Sequence, residues 1–301
     1  MPQHAENSTG CIRSTFVNQP DSDRAQTAVE SAGASHRTQT RRWMRNWITG
    51  VDNLVDLVCP PECVWCSQPT SPDARFCRDC RHALVSDYYR CQSCATPLPS
   101  VVPNDNCFRC RDAGWKFSQV ITLGPYRGRL REAVILAKKR SFESLRHGLG
   151  QLLAELVEQQ LHLEPAPNSL RPWIIPIPYH WSHALSRGAH SAISLARALG
   201  AHTGLCVQTR CVYRVRKTAK QGMLSWSQRK QNVRGAFAIR SATALAGRHI
   251  FLVDDVLTSG ATAAEVSSKL VKAGASKVSI VVIARGTGSR APSTEMKSSP
   301  S

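Results

Sequence analysis

Four Cys-x-x-Cys pairs lie between Cys63 and Cys110: Cys63 with Cys66, Cys77 with Cys80, Cys91 with Cys94, and Cys107 with Cys110. Such a turn aims two sulfurs at one point, and Zn(II) takes four thiolates tetrahedrally. Two pairs therefore close one structural site, and four pairs close two. Gaps of ten and twelve residues between neighbouring pairs suit small zinc ribbons, and spacing alone leaves the pairing order open. Four protein ligands leave no open coordination position, so these ions are structural, contributing about 10 to 16 kcal/mol of folding energy to a stretch with little core of its own.

Eight of the twelve Cys belong to these pairs. A secreted disulfide scaffold is usually small and spreads its Cys through the whole domain, so the clustering favours metal. Redox use of a CxxC motif normally involves a single copy beside a βαβ unit. Cys11, Cys59, Cys206 and Cys211 remain, and Cys59 is close enough to the first pair to compete as a ligand. No apolar run approaches the length of about 20 residues that spans a bilayer, and the start lacks the order of a secretory signal. The expected compartment is the cytoplasm.

The formal charge of the 301-residue chain is +18, and its location matters. Residues 1–58 carry 6 basic and 6 acidic side chains, residues 59–118 carry 7 and 6, and residues 119–301 carry 26 and 9. An anionic partner is thus expected for the last part. The Cys-rich part is a poor phosphate binder, because eight thiolates holding two Zn(II) take it from +1 to −3.

Residues 1–41 are polar and read as a disordered tail. In residues 42–58, Trp43, Trp47, Val51, Leu54, Val55 and Val58 recur on one helical face, predicting an amphipathic packing helix. Residues 59–118 form the double ribbon. From residue 119 to 285 short apolar runs alternate with helical patterns: a strand in VITLGPY, helices near 128–139 and 145–161, a strand in WIIPIP, a helix over 187–199, a strand in HIFLV, a helix over 262–273 and a strand in KVSIVVIA. This order predicts an α/β fold, a mainly parallel sheet flanked by helices. Residues 286–301 read as a frayed tail.

The run IFLV ends in Asp254 and Asp255, at the carboxyl end of a strand, where open α/β sheets bind ligands. Thr258, Ser259, Gly260, Ala261 and Thr262 then lead into a helix. Converging backbone N–H groups, the helix N-terminus and three hydroxyls suit a phosphate. Carboxylates repel that phosphate but suit neighbouring sugar hydroxyls, or Mg(II) shared with a diphosphate. A phosphosugar satisfies both halves. The competing reading makes Thr262 an ordinary helix cap and the two Asp solvated turn residues.

FLVDDVLTSGAT resembles the phosphoribosyl diphosphate (PRPP) signature of type I phosphoribosyltransferases. With the four CxxC pairs ahead of it, and GPYRGRLREAVILAKK, IIPIPYH, RGAHSA, RVRKTAKQGMLSWSQRKQNVRGAF and AGASKVSIVVIAR in order, the chain resembles the ComF family. These are competence-associated proteins with a double zinc ribbon and a phosphoribosyltransferase-like domain. The resemblance implies that Asp254 and Asp255 hold ribose hydroxyls and that Thr258 to Thr262 hold the 5′-phosphate. Pro178 and Tyr179, with His180, would begin the diphosphate-side loop. Where the family reads Arg-Gly-Phe-Asn-Gln, this chain has Arg187, Gly188, Ala189, His190 and Ser191.

Between Arg210 and Arg234 there are eight Lys and Arg and no acid. This segment, with Arg214 and Arg216 in the family's basic motif, is expected to be a mobile loop closing over a diphosphate leaving group, and Lys138 is within reach of the same site. Transfer from PRPP puts positive charge on the sugar and negative charge on the departing group, so carboxylates, cations and Mg(II) would divide the work. The resemblance implies phosphoribosyl transfer to an unidentified acceptor. Its alternative is a non-catalytic competence component that binds PRPP, single-stranded DNA or the DNA-uptake machinery.

Overall fold

The computed structural model describes residues 60–98, 107–111, 113–163, 170–178, 191–219, 225–240 and 242–286. The expected tail 1–41, the 42–58 helix, Cys59, Tyr179, His180, Arg187 to His190 and all of the expected tail 286–301 but Gly286 lie outside them. Contacts divide the chain into two compact units at Cys80 and Arg81.

In the first unit the chain folds around Cys63, Cys66, Cys77 and Cys80. Glu62 pairs with Pro69, the Cys63 N–H donates to the Gln68 carbonyl at 2.8 Å, and Ser67 takes a φ of 57°. Phe76 is buried beside these Cys in sequence. Helix α1 spans Arg78–Leu84.

The second unit repeats the same turn. Arg90 pairs with Pro97, the Cys91 N–H donates to the Thr96 carbonyl at 3.0 Å, and Ala95 takes a φ of 53°. Beyond it come β1 (Gln119–Pro125), α2 (Gly128–Ala137), α3 (Glu143–Leu163), β2 (Trp173–Pro176), α4 (Ser191–Thr203), β3 (Cys206–Val207), β4 (Val212–Arg214), α5 (Trp226–Val233), β5 (Phe237–Ile239), β6 (His249–Leu257), α6 (Ala261–Lys272) and β7 (Lys277–Arg285).

Five strands form one parallel sheet in the order β1-β7-β6-β2-β3. Strands covered on both faces must be apolar throughout, and β7 is buried at every position after Lys277. Helices α3 and α4 pack closely because Gly150 lacks a side chain; a Cβ there would fall 2.5 Å from that of Ala198. The chain thus has an α/β fold with a parallel sheet flanked by helices, preceded by a Cys-rich ribbon-like module.

Three local details differ from expectation. Strand β6 continues past the acidic pair to Leu257, because β7 supplies partners as far as Arg285. Helix α6 begins at Ala261 with Gly260, at a φ of 78°, as its N-cap, so Thr262 lies inside the helix. The basic segment is not one loop: β4 pairs antiparallel with β5, and α5 starts from a capping box of Ser225 and Gln228.

Candidate functional site

The Cys pairs sort consecutively: Cys63, Cys66, Cys77 and Cys80 form one cluster, and Cys91, Cys94, Cys107 and Cys110 the other, with ligand atoms in each within 4.8 Å of one another. The Cys66–Cys77, Cys91–Cys110 and Cys94–Cys107 sulfurs are 3.6, 3.6 and 3.7 Å apart. Tetrahedral Zn(II) with bonds of about 2.3 Å requires sulfurs about 3.8 Å apart, so both clusters fit the ion. Burial pushes the Cys80 and Cys110 thiols up, and neighbouring sulfurs push them further. A dication resolves this by holding four thiolates together. The two four-cysteine clusters are structural zinc sites.

At the carboxyl end of β6, consecutive residues project to opposite faces. Asp254 is half-buried and its Oδ1 accepts the Asp255 N–H at 2.8 Å; Asp255 is 6% exposed and its Oδ1 accepts the Val256 N–H at 2.7 Å. The other oxygen of Asp255 meets Lys138 Nζ at 3.1 Å. Lys138 stands at the C-cap of α2. The turn it belongs to is held from below by Arg146, a 4% exposed residue that donates to the Ala137 and Lys139 carbonyls at 3.0 and 2.7 Å.

The loop after β6 offers its backbone at the start of α6. Thr258 is exposed, Thr262 half-buried, and Ser259 is buried with its hydroxyl accepting the Ala261 N–H at 3.3 Å. Gly260 serves two needs. Its φ lies in the left-handed region, and a Cβ there would stand 3.2 Å from the Trp115 ring. Beneath the loop lies Arg285, the last residue of β7 and fully buried. Its Nη1 donates to the carbonyls of Leu257, Thr258 and Gly286, and its Nε donates to that of Cys94.

On the other side of Asp254, β2 pairs with β6 through Pro176 and Val253. Two residues further on, Pro178 enters a groove of about 680 Å³ lined by Thr209, Arg210, Val212, Tyr213, Arg214, Val215, Arg216, Lys217 and Arg240. Five of its lining residues are cationic and none is acidic. Arg214 lies 5.0 Å over the Phe237 ring, and Arg240 5.5 Å over that of Tyr213. Arg216 donates to the carbonyls of Asn232 and Arg234 at 3.1 and 2.6 Å, which ties β4 to the end of α5.

The structure therefore brings Asp254, Asp255, Lys138 and Thr258 to Thr262 to the carboxyl end of β6, and gathers Pro178, Arg214 and Arg216 in one groove that begins two residues beyond the end of β2. Sequence reasoning missed Arg285, Trp115, Arg146, Arg240 and the exposed Tyr213. For Arg285 a signal existed: like the acidic pair, it is a charge closing an apolar run.

Comparison with known proteins follows the same division. Residues 54–111 match the double zinc ribbon domain family, and residues 185–299 match the phosphoribosyl transferase domain family. The DNA utilization protein YhgH of Salmonella typhimurium is 27% identical over 232 residues, covering 76% of this chain and 99% of that one. Its match thus includes both parts in one order. The chain has the domain architecture of the ComF/YhgH/competence protein family. Competence protein F of Haemophilus influenzae is 26% identical to this chain over 213 residues, covering 70% of it and 90% of the relative. Among solved structures, a B. subtilis glutamine PRPP amidotransferase matches at 21% identity with a TM-score of 0.31, covering 47% of this chain and 26% of that one. Among the described residues no helix is long and apolar enough to cross a membrane.

Proposed function

We propose that this ComF-type chain is a DNA-utilization component that binds PRPP at the carboxyl end of β6. The carrying observation is the convergence there of Asp254 and Asp255 with the Ser259–Gly260–Ala261 start of α6. Backbone N–H groups of this loop and the hydroxyls of Thr258 and Thr262 hold the 5′-phosphate. Asp254 accepts from ribose hydroxyls, while Asp255 orients Lys138. The diphosphate lies toward the groove, where Arg210, Arg214 and Arg240 supply positive charge. Mg(II) bound with PRPP neutralises part of the diphosphate charge. The names of the relatives, DNA utilization protein and competence protein, support the biological setting. The double ribbon (59–118) and the phosphoribosyltransferase-like domain (119–285) are its working parts. The reducing cytoplasm, which keeps thiols available to zinc, is its compartment.

A second reading, transfer of the phosphoribosyl group to an acceptor, is favoured by the groove's cations, which suit a departing diphosphate. The exposed Tyr213 among those cations also suits single-stranded DNA, whose bases stack on aromatic rings.

Calorimetry with PRPP and Mg(II) tests the proposal, comparing the native chain with the Asp254→Asn, Asp255→Asn double variant. Saturable heat from the native chain that the double variant loses supports it; no heat, or equal heats, refutes it. Consumption of PRPP with release of diphosphate would promote the second reading. Binding of labelled oligothymidylate that survives the double substitution and falls steeply with salt would assign the groove to DNA.

A further inference from the structure

Arg285 is a fully buried cation with no carboxylate within ion-pair distance among the described residues. Such a group is costly unless its donors are all satisfied and its charge is answered. Its donors divide between two places. Nη1 reaches the carbonyls of Leu257 and Thr258, the backbone that delivers the phosphate loop. Nε reaches the Cys94 carbonyl at 2.8 Å and Nη2 the Thr96 hydroxyl at 3.3 Å, both within the second four-cysteine knot.

The Thr96 oxygen is in turn 3.1 Å from Cys94 Sγ. Were zinc to hold Cys94 as a thiolate, the Thr96 hydroxyl would donate to the sulfur while its oxygen accepts from Arg285. A relay then runs from a metal-site sulfur to the loop. Four thiolates around Zn(II) carry a formal charge of −2, the counter-charge that the guanidinium otherwise lacks. Trp115 makes a second bridge. It follows the last ligand, packs against the buried Cys91, Cys94 and Cys107, and lies over Gly260.

We infer that Arg285, Thr96 and Trp115 are positioning residues through which the second four-cysteine site, and not the first, holds the phosphate loop in its binding conformation. Among the described residues, none of the hydrogen bonds made by the Arg285 side chain goes to Cys63, Cys66, Cys77 or Cys80, the ligands of the first site. The inference rests on the proposed phosphate site for its ligand, but the order of the loop is measurable without any ligand.

Amide hydrogen exchange over residues 255–263 is the test, on the full chain loaded with zinc. Three variants are compared: Cys107→Ser with Cys110→Ser, Cys66→Ser with Cys77→Ser, and Thr96→Val. Loss of the second site raises loop exchange at least tenfold, loss of the first leaves it within twofold, and Thr96→Val raises it several-fold while zinc content stays at two per chain. Ribose 5-phosphate affinity, measured by calorimetry, weakens in the same order. If the native chain binds neither ribose 5-phosphate nor PRPP, the functional reading fails and the exchange comparison still decides the inference. Equal loop exchange after loss of either site overturns it. If loss of the second site unfolds the whole unit, Thr96→Val decides: loop exchange unchanged from the native chain overturns the inference, and a rise confined to the loop supports it.

Discussion

Replacing Gly260 with alanine places a methyl group where two constraints meet. The residue has a φ of 78°, and an L-residue in the left-handed region costs about 1 to 2 kcal/mol. The methyl would also stand 3.2 and 3.4 Å from two ring carbons of Trp115, and overpacking of this kind costs about 1 kcal/mol or more. Alanine restricts the unfolded chain and returns about 0.4 to 1 kcal/mol. The net expectation is a loss of about 1 to 2.5 kcal/mol, a fall of about 2 to 10 °C in melting temperature for a unit of this size. Urea unfolding followed by circular dichroism should show the lower midpoint with an unchanged slope. Adding Trp115→Ala removes the ring contact but leaves the backbone strain, so the same Gly→Ala change then costs only about 1 kcal/mol. Two results would refute the reasoning: a single variant as stable as the native chain, or a Gly→Ala cost that stays the same without the ring.

Two further outcomes follow from buried groups away from the loop. Arg146→Met removes the donors to Ala137 and Lys139, and should cost about 2 to 4 kcal/mol and raise backbone exchange around Lys138, read by melting and by hydrogen exchange. Burial pushes the Cys211 thiol from 9.0 up to about 11. Its folded pKa is raised, so the stability gained from keeping it neutral is complete below pH 9 and is lost as pH rises toward 11. Cys211→Ala should flatten that part of the stability profile, and identical slopes for the two proteins between pH 9 and 11 would count against the assignment.

Much of the sheet could be read directly because its strands are buried on both faces. WIIP, HIFLV and KVSIVVIA are continuous apolar runs, and all three became neighbouring parallel strands. The acidic pair was legible for the opposite reason, as charge where burial predicts none. The end of β6 was not legible, since its last residues are strand only because β7 pairs with them. Nor was the Trp115–Gly260 contact, which joins distant parts of the chain and leaves no periodic trace. The burial of Arg285 was not legible either, since the ribbon's carbonyl and hydroxyl that make it tolerable come from 191 and 189 residues away in the chain. The pairing of the CxxC motifs was open because every pair has the same local geometry, and only the path of the chain between them decides.

The Lys138–Asp255 pair gives the site a resting state of its own. On the reading proposed above, a sugar arriving at the carboxyl end of β6 would not meet two unopposed carboxylates. It would meet Asp254 beside Asp255, an acid already engaged by the half-exposed Lys138. On that reading Lys138 stays with Asp255, and Asp254 is the carboxylate left to take up the sugar's hydroxyls. Together the two carboxylates and Lys138 carry one formal negative charge instead of two, which halves the repulsion that an incoming phosphate would meet there.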